Sequence, residues 1–528
     1  MLEWLAACLV VVMLAMIVRE IFRKPANFPP GPPVVPLLGS SVAIKLGSTL
    51  PHLVFESLGK IYGKIIGFYL FGQPVIILRD YDLIHEAFSK TEFSGREQTF
   101  VIQNRSFFMG NGIIFGQGGG WSLHRRFALQ QLHDLGVGRP RSELLVQLEV
   151  DALVRRLTAS GGDLEVNTTF CMSGCNALLQ LVAGKRYELD DPVFAQLVND
   201  TDRVMRLAGP GNILSLLPWA RHLAPSATGF RALCALRDTT CSLFGEIVEE
   251  HRRTLNAGKP RDYVDAFLIE MEKEGAKEKD FTKQHLEILL MDLFQAGIET
   301  INSTLCWAVL LLARHPEVQA RLHAELDELL GANSLRWSDR QSLPYLQATI
   351  NEVHRFGTVT NVSVPHFTSF QPVVFNDYVI PRNSLILPDI YHVHHDPSYW
   401  SEPERFRPDR FIDQNGQLVH EPRLLMFGTG RRSCLGESLA RMEVFLFVGG
   451  LLQAFHLELP PDAPPADLSP QAGVTYKPRP FRLRFRPRRP AAPELNVAAL
   501  ALRSEQNSYC IKRSSFSSKV HFKEEREI

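Results

Sequence analysis

The sequence predicts a mainly α-helical fold with small β-sheets, on three observations. Helical apolar periodicity recurs over 141–157, 193–207, 230–255, 281–315, 316–330, 343–356 and 436–455. A β-rich section, IIGFYLFGQPVIILRD, precedes all of these. Short strands such as VVFNDYVI lie between the last two helices, among proline-rich turns. No internal repeat breaks this order.

At 528 residues the chain can bury a large core, enough for about three domains or for one large fold. Its 57 basic and 57 acidic residues cancel, which excludes the basic excess of a nucleic-acid binder. The cysteines at 8, 171, 175, 234, 241, 306, 434 and 510 are scattered, unlike a disulfide scaffold, and read as reduced thiols on the cytosolic side. Cys171 and Cys175 share a helix face, but no second pair completes a metal site, so they read as buried structural thiols.

Residues 4–18 (WLAACLVVVMLAMIV) are unbroken apolar sequence, followed by Arg19, Arg23 and Lys24. A cleaved signal peptide wants positive charge before the apolar run and a small-x-small site after it; the only early charge is Glu3. Met1, Leu2, Ile21 and Phe22 lengthen the run while charged side chains snorkel to the interface. The expectation is a membrane anchor over 1–24, its basic flank and all that follows facing the cytosol. Residues 25–40, with Phe28-Pro-Pro-Gly-Pro-Pro33, can be neither helix nor central strand and form a stiff hinge. From about Arg489 apolar periodicity fades, which predicts a disordered tail over 489–528 and a main body over 41–488.

The chemistry centres on Phe427-Gly-Thr-Gly-Arg-Arg-Ser-Cys-Leu-Gly436. Gly428, Gly430 and Gly436 permit positive φ and close backbone approach around one thiol. The string ESLARMEVFLFVGGLLQAF that follows is helical, so Cys434 stands at a helix N-terminus, where backbone N–H groups and the helix dipole favour a thiolate. Arg432 is a nearby cation. Glu352 and Arg355 stand at i, i+3 on one helix face, Trp121 and Arg125 at i, i+4. In Ala296-Gly-Ile-Glu-Thr300 small residues loosen a long helix, and Thr300 can bond back to a carbonyl. His392, His394 and His395 look like a metal cluster but are explained as framework imidazoles.

The ten-residue loop resembles the haem-binding loop of the cytochrome P-450 family, and the other motifs follow that family's order over roughly Pro29 to Arg486. The resemblance implies one large haem-binding domain, with haem b bound axially at its iron by Cys434. Arg432, Trp121, Arg125 and His366 would serve the propionates, and Phe427, Gly428, Gly436 and Ala296 would border the ring. It implies a clasp of Glu352, Arg355 and Arg405, the last from Pro403-Glu-Arg405-Phe406. The animal microsomal branch often carries an arginine in the loop before Trp121; alignment puts Met109 there, so a propionate partner is expected to be missing or replaced. Glu299 and Thr300 would relay protons, with Ile301 where a second hydroxyl is usual. Pocket residues by resemblance are Phe108, Ile113, Ile114, Phe294, Ala296, Val362, Val364 and Val474, nearly all apolar.

The implied activity is a monooxygenase of the endoplasmic reticulum membrane. It would place one atom of O2 in a lipophilic molecule, with electrons from NADPH through a reductase and a small haem protein as a second donor. The chain looks similar to arthropod members, the methyl farnesoate epoxidases among them, which suggests an endogenous terpenoid or steroid hormone precursor; foreign compounds are the alternative. An oxygen-independent haem-thiolate isomerase or dehydratase commonly lacks the acid–alcohol pair, and the intact Glu299-Thr300 argues against it. The intact helix groove and the anchor likewise argue against a non-enzymatic haem sensor.

Overall fold

The computed structural model describes residues 24–488, apart from 36–38, 45–49, 111, 208–212, 465–466 and 472, together with residues 4 and 11–13. The expected anchor over 1–24 is thus described only at Trp4, 11–13 and Lys24, and the expected tail over 489–528 lies outside the described residues.

Helices dominate, and those read from periodicity occur within a few residues of their expected bounds: α1 Pro140–Ser160, α2 Pro192–Leu207, α3 Phe230–Thr254, α4 Lys283–Arg314, α5 Pro316–Leu330, α6 Pro344–Gly357 and α7 Glu437–Ala454. Their ends carry the expected chemistry. Thr282 accepts from His285 N–H to cap α4, and prolines open α1, α5 and α6, where a missing N–H costs nothing.

Helix α4 is the axis of the molecule. It packs on Cys171–Ala183, α3, α6 and α7 and is buried nearly all round. The stretch Lys277–Arg314 is long and apolar enough to cross a membrane, yet 78% of its apolar window is buried in protein, so it is a core helix. The large apolar side chains between Leu286 and Ile298 belong to one cluster with Phe194, Phe244 and Phe267. Ile301 and residues 305–312 belong to another, with Leu439, Phe445 and Leu452 of α7. Each fully buried leucine there contributes about 1.5–3 kcal/mol. The clusters meet at Glu299 and Thr300, where polar side chains interrupt the apolar helix.

Four small sheets flank the helices among the described residues, the two larger having five and three strands. In the first, β1 Ile65–Leu70 pairs antiparallel with β2 Gln73–Leu78, β2 parallel with Leu385–Pro388, then His366–Phe367 and Gly95–Arg96 follow antiparallel. The register places Arg96 opposite His366 at the far edge. The near edge, β1, is covered by the proline segment: Gly67 N–H donates to Pro30 O at 2.8 Å, and Lys24 reaches Gly31 O and Pro32 O. Residues 25–35 therefore lie along the sheet. The second sheet joins Asp163–Val166, Phe481–Pro487 and Phe455–Glu458. The VVFNDYVI string forms a hairpin, Val373–Phe375 with Tyr378–Ile380, turning on Asn376 and Asp377 at positive φ.

Candidate active site

Cys434 sits where a glycine loop meets α7. Its N–H donates to Phe427 O at 2.8 Å, and Gly428, at φ +70°, turns the chain between them. Gly430 must be glycine: a Cβ there would stand 2.0 Å from Phe88 O. Gly436, the residue before α7, donates its N–H to the Cys434 sulfur. Surrounding protein pushes the thiol pKa up, while this N–H and the Arg125 charge pull it down. Despite that desolvation the cysteine is exposed, so its sulfur faces a recess rather than the outer surface. Leu435 beside it packs on the cluster containing Leu293 and Ile298 of α4.

Three guanidinium groups gather at this loop. Arg125 donates to Ser433 O at 2.6 Å. Arg432 donates to Ser94 O and Gly116 O, and its Cζ lies 3.4 Å from the Trp121 ring centre. Arg96 donates to Ile114 O, Val364 O and Pro365 O. Burial, and then the mutual repulsion of the three, lowers Arg432 to about 8; burial and Arg125 lower Arg96 to about 9. Among the described residues none of the three is ion-paired with a carboxylate, and Arg432 Nη1 is buried without a hydrogen-bond partner. Such a cluster fits an anionic group with several oxygens. His366 stacks on Phe88 at 3.8 Å and shares a recess with Gly428, Thr429 and Arg432; its Nδ1 bonds Phe93 O, and burial holds it neutral. Trp121 Nε1 donates to Ile113 O at 3.0 Å, inside the protein.

Arg96 escaped the sequence reading, which looked for its role at Met109. Met109 is instead exposed, one residue past the positive-φ pair Phe107 and Phe108. Only the sheet register, pairing Arg96 with His366, reveals the arginine.

The expected clasp also changes. Glu352 and Arg355 are fully buried and joined by two hydrogen bonds, at 2.7 and 2.9 Å. The third member is Arg410: its Nε lies 3.0 Å from Glu352 Oε2, and the Arg407 N–H donates to Oε1 at 2.8 Å. The Arg405 side chain is 71% exposed and pairs with Glu402; only its backbone oxygen meets Arg355 and Arg410. Pro-x-Arg-Phe occurs twice, at 403–406 and 408–411; both phenylalanines are buried, and the second copy, with Pro408 buried as well, aims its arginine at Glu352.

On α4, Ala296 is exposed and Gly297 and Thr300 are half-buried, although the helix around them is buried. They face an interior space. The helix is unbroken here; Thr300 Oγ1 donates to Ala296 O at 2.8 Å, which leaves its lone pairs to accept. Glu299 is buried and accepts from Thr475 Oγ1 at 3.0 Å, a partner absent from the sequence reading.

The expected pocket residues divide. Ile113, Ile114 and Val364 connect through backbone groups to the arginines and Trp121. Phe294 is buried edge-on between Phe194 and Phe244, and Val362 packs with Phe68 and Ile77 under the first sheet. Phe108 and Val474 are exposed. The histidines 392, 394 and 395 do not converge. His394 is held by Leu425 N–H and Thr358, His395 by Tyr391 O, and His392 faces Glu56. Burial pushes the Cys171 and Cys175 thiols well up, as in unreactive structural cysteines.

A thiol at a helix N-terminus, an unneutralised arginine cluster with a free buried N–H, and an unbroken core helix that bares Ala296 and Thr300 to an interior space fit one cofactor class, an iron porphyrin with acidic side arms. The comparisons agree with that class. The sequence model of the family described as Cytochrome P450 matches residues 29–485. Farnesoate epoxidase of Bombyx mori is 34% identical, covering 88% of this chain and 94% of its own. Cytochrome P450 2L1 of Panulirus argus is 33% identical (88% and 96%), and cytochrome P450 2B4 of Oryctolagus cuniculus 33% (90% and 96%). The chain belongs to the cytochrome P450 family and is a haem-dependent monooxygenase that takes its electrons through a reductase.

Proposed function

We propose that this protein is an endoplasmic-reticulum monooxygenase acting on an endogenous terpenoid, with NADPH as the electron source through a separate reductase and a small haem protein as a second donor. The observation that carries the site assignment is the Cys434 sulfur, held by Gly436 N–H beside three arginines of which one keeps a free buried N–H. Similarity to a farnesoate epoxidase over most of both chains supports the terpenoid class. The apolar run at 4–18 supports an anchor over 1–24; 25–40 would then orient the body, 41–488 carry catalysis, and 489–528 stay a polar tail.

Bound haem supplies oxygen activation, one atom of O2 entering the substrate and the other leaving as water after two electrons and two protons. This chain's residues do the rest. Cys434 would hold the iron. Arg96, Arg125 and Arg432 would hold the propionates, with Trp121 and His366 on the same wall. Phe427 O and Gly428 fix the loop that carries the thiol, and small Ala296 would leave the haem room. Thr300 Oγ1 accepts a hydrogen bond from a water and holds it for proton transfer, while Thr475 keeps Glu299 turned toward its supply.

The test is Cys434→Ser. Wild-type protein should give the red-shifted carbon monoxide band of thiolate-bound haem, and with NADPH, reductase and ¹⁸O2 should place one labelled oxygen in product; the serine variant should lose both. A serine variant that keeps the band would move the ligand to another cysteine. Product formed without label or oxygen uptake would favour the isomerase class.

A further inference from the structure

Two buried polar contacts meet on the run Thr475–Lys477. Thr475 Oγ1 donates to Glu299 Oε1 at 3.0 Å. Lys477 Nζ is ion-paired with Asp202 of α2, and the two side chains are only 5% and 7% exposed. Tyr476 between them is fixed through its backbone: its N–H donates to Val359 O at 2.8 Å, and its O accepts from Trp307 Nε1 at 3.1 Å. Its hydroxyl goes elsewhere, to His52 Nδ1. Glu299, Lys477 and Asp202 also share neighbours. Burial holds the Cys171 and Cys306 thiols up, Cys306 at about 12; the Lys477 charge pulls both down, the Glu299 charge pushes both up, and Asp202 adds to the push on Cys171. Glu443 of α7 and Glu149 of α1 act on Cys175, one turn along from Cys171.

We propose that Asp202 is a positioning residue for proton supply: it holds the Lys477 ammonium away from Glu299, so that Glu299 can take and pass on a proton. The inference rests on reading Glu299 as the supplier to Thr300. Lysine is almost never buried unless paired, and a buried ammonium that lost its partner would turn to another carboxylate. Glu299 is at hand. Thr475, which touches it, is two residues from Lys477, a span of about 7 Å in extended chain, and a lysine side chain covers most of that. An opposite charge within about 4–6 Å favours an ionised acid and lowers its pKa by about 1–3 units. An ionised Glu299 bonded to an ammonium has no proton to pass at neutral pH. With Asp202 in place the lysine is already neutralised, so a carboxylate on α2 sets the charge of one on α4.

The experiment titrates, in holoprotein, the protonated-carboxyl infrared band that Glu299→Gln removes, and measures product per NADPH and peroxide alongside. In Asp202→Asn the midpoint of that band should fall by about 1–3 pH units. Product per NADPH should fall with it, because the protonated share drops about tenfold for each unit, and peroxide should rise. Adding Lys477→Met removes the ammonium and leaves a chain of similar length; both readouts should return to wild type. A purely structural role for Asp202 predicts the reverse, with the second substitution adding to the loss. A midpoint in Asp202→Asn equal to wild type, a loss that persists in the double variant, or a double variant whose midpoint departs from wild type would each overturn the inference. The last comparison holds even where Asp202→Asn alone does not fold, since the double variant leaves neither charge unpaired. Unchanged product per NADPH in Glu299→Gln would instead sink the reading of Glu299 as supplier, whatever the midpoints.

Discussion

Replacing Arg410 with methionine should destabilise the protein where replacing Arg405 does not. Glu352 has no exposed surface and is bonded by Arg355, Arg410 and the Arg407 N–H. Breaking a buried ion pair by removing one partner costs about 3–5 kcal/mol. Arg355 remains, which puts Arg410→Met at the lower end, about 3 kcal/mol. Methionine also frees Ser401 O, Glu402 O and Arg405 O, but these lie near water and add little. Unfolding entropy of about 2.1 cal/mol/K per residue gives roughly 1 kcal/mol/K for a body of about 450 residues, so the melting temperature should fall by about 3 °C. Arg405→Met removes a solvent-exposed pair with Glu402 and should leave the melt unchanged. Thermal melts of both holoproteins, with the carbon monoxide spectrum recorded alongside, decide the matter. Equal destabilisation by the two, or a larger loss in Arg405→Met, would refute the assignment of Arg410.

Two further outcomes follow from the same site. Thr300→Ala should keep haem content and substrate binding but lower product per NADPH by roughly tenfold, a modest share of what a placed proton contributes, with hydrogen peroxide rising in step; unchanged coupling would remove Thr300 from the relay. Arg96→Met should speed haem transfer to an apo-globin by about tenfold or more, the worth of a charge-assisted hydrogen bond, whereas Met109→Ala should not; equal rates in both would return the propionate role to the loop before Trp121.

What the sequence made legible was what depends on local pattern. Helix bounds followed from apolar period and from prolines at the first turn, and the cysteine loop from glycines whose need is local, such as Gly430 against Phe88 O. Site chemistry that depends on which of two similar strings folds inward was not legible. Pro403-Glu-Arg-Phe406 and Pro408-Asp-Arg-Phe411 differ only in which acid they carry, and it is the second whose arginine reaches Glu352. Arg96 lies on a two-residue strand with no periodicity to mark it, and it joins the other arginines because the sheet sets it opposite His366. Phe294 fits an apolar pocket by type, but its helix phase aims it between Phe194 and Phe244.

Helix phase also accounts for how one long helix serves several ends. Along α4, side chains roughly 100° apart per residue face different neighbours. Asp292 and Gln295 face the loop that carries Arg105 and Ile113; Ala296 and Thr300, four apart and so on one stripe, face the interior space; Glu299 turns away from that stripe to Thr475. A helix with a solvent face could not do this, because one side would be given over to water. Burial all round is therefore a condition of the site as well as of stability: it lets an acid, an alcohol and an amide each meet a different part of the protein within three turns. The stretch still passes for a membrane span by composition, although polar residues away from the site, such as Asn302 between Phe170 N–H and Asn167 O, tie it to the framework.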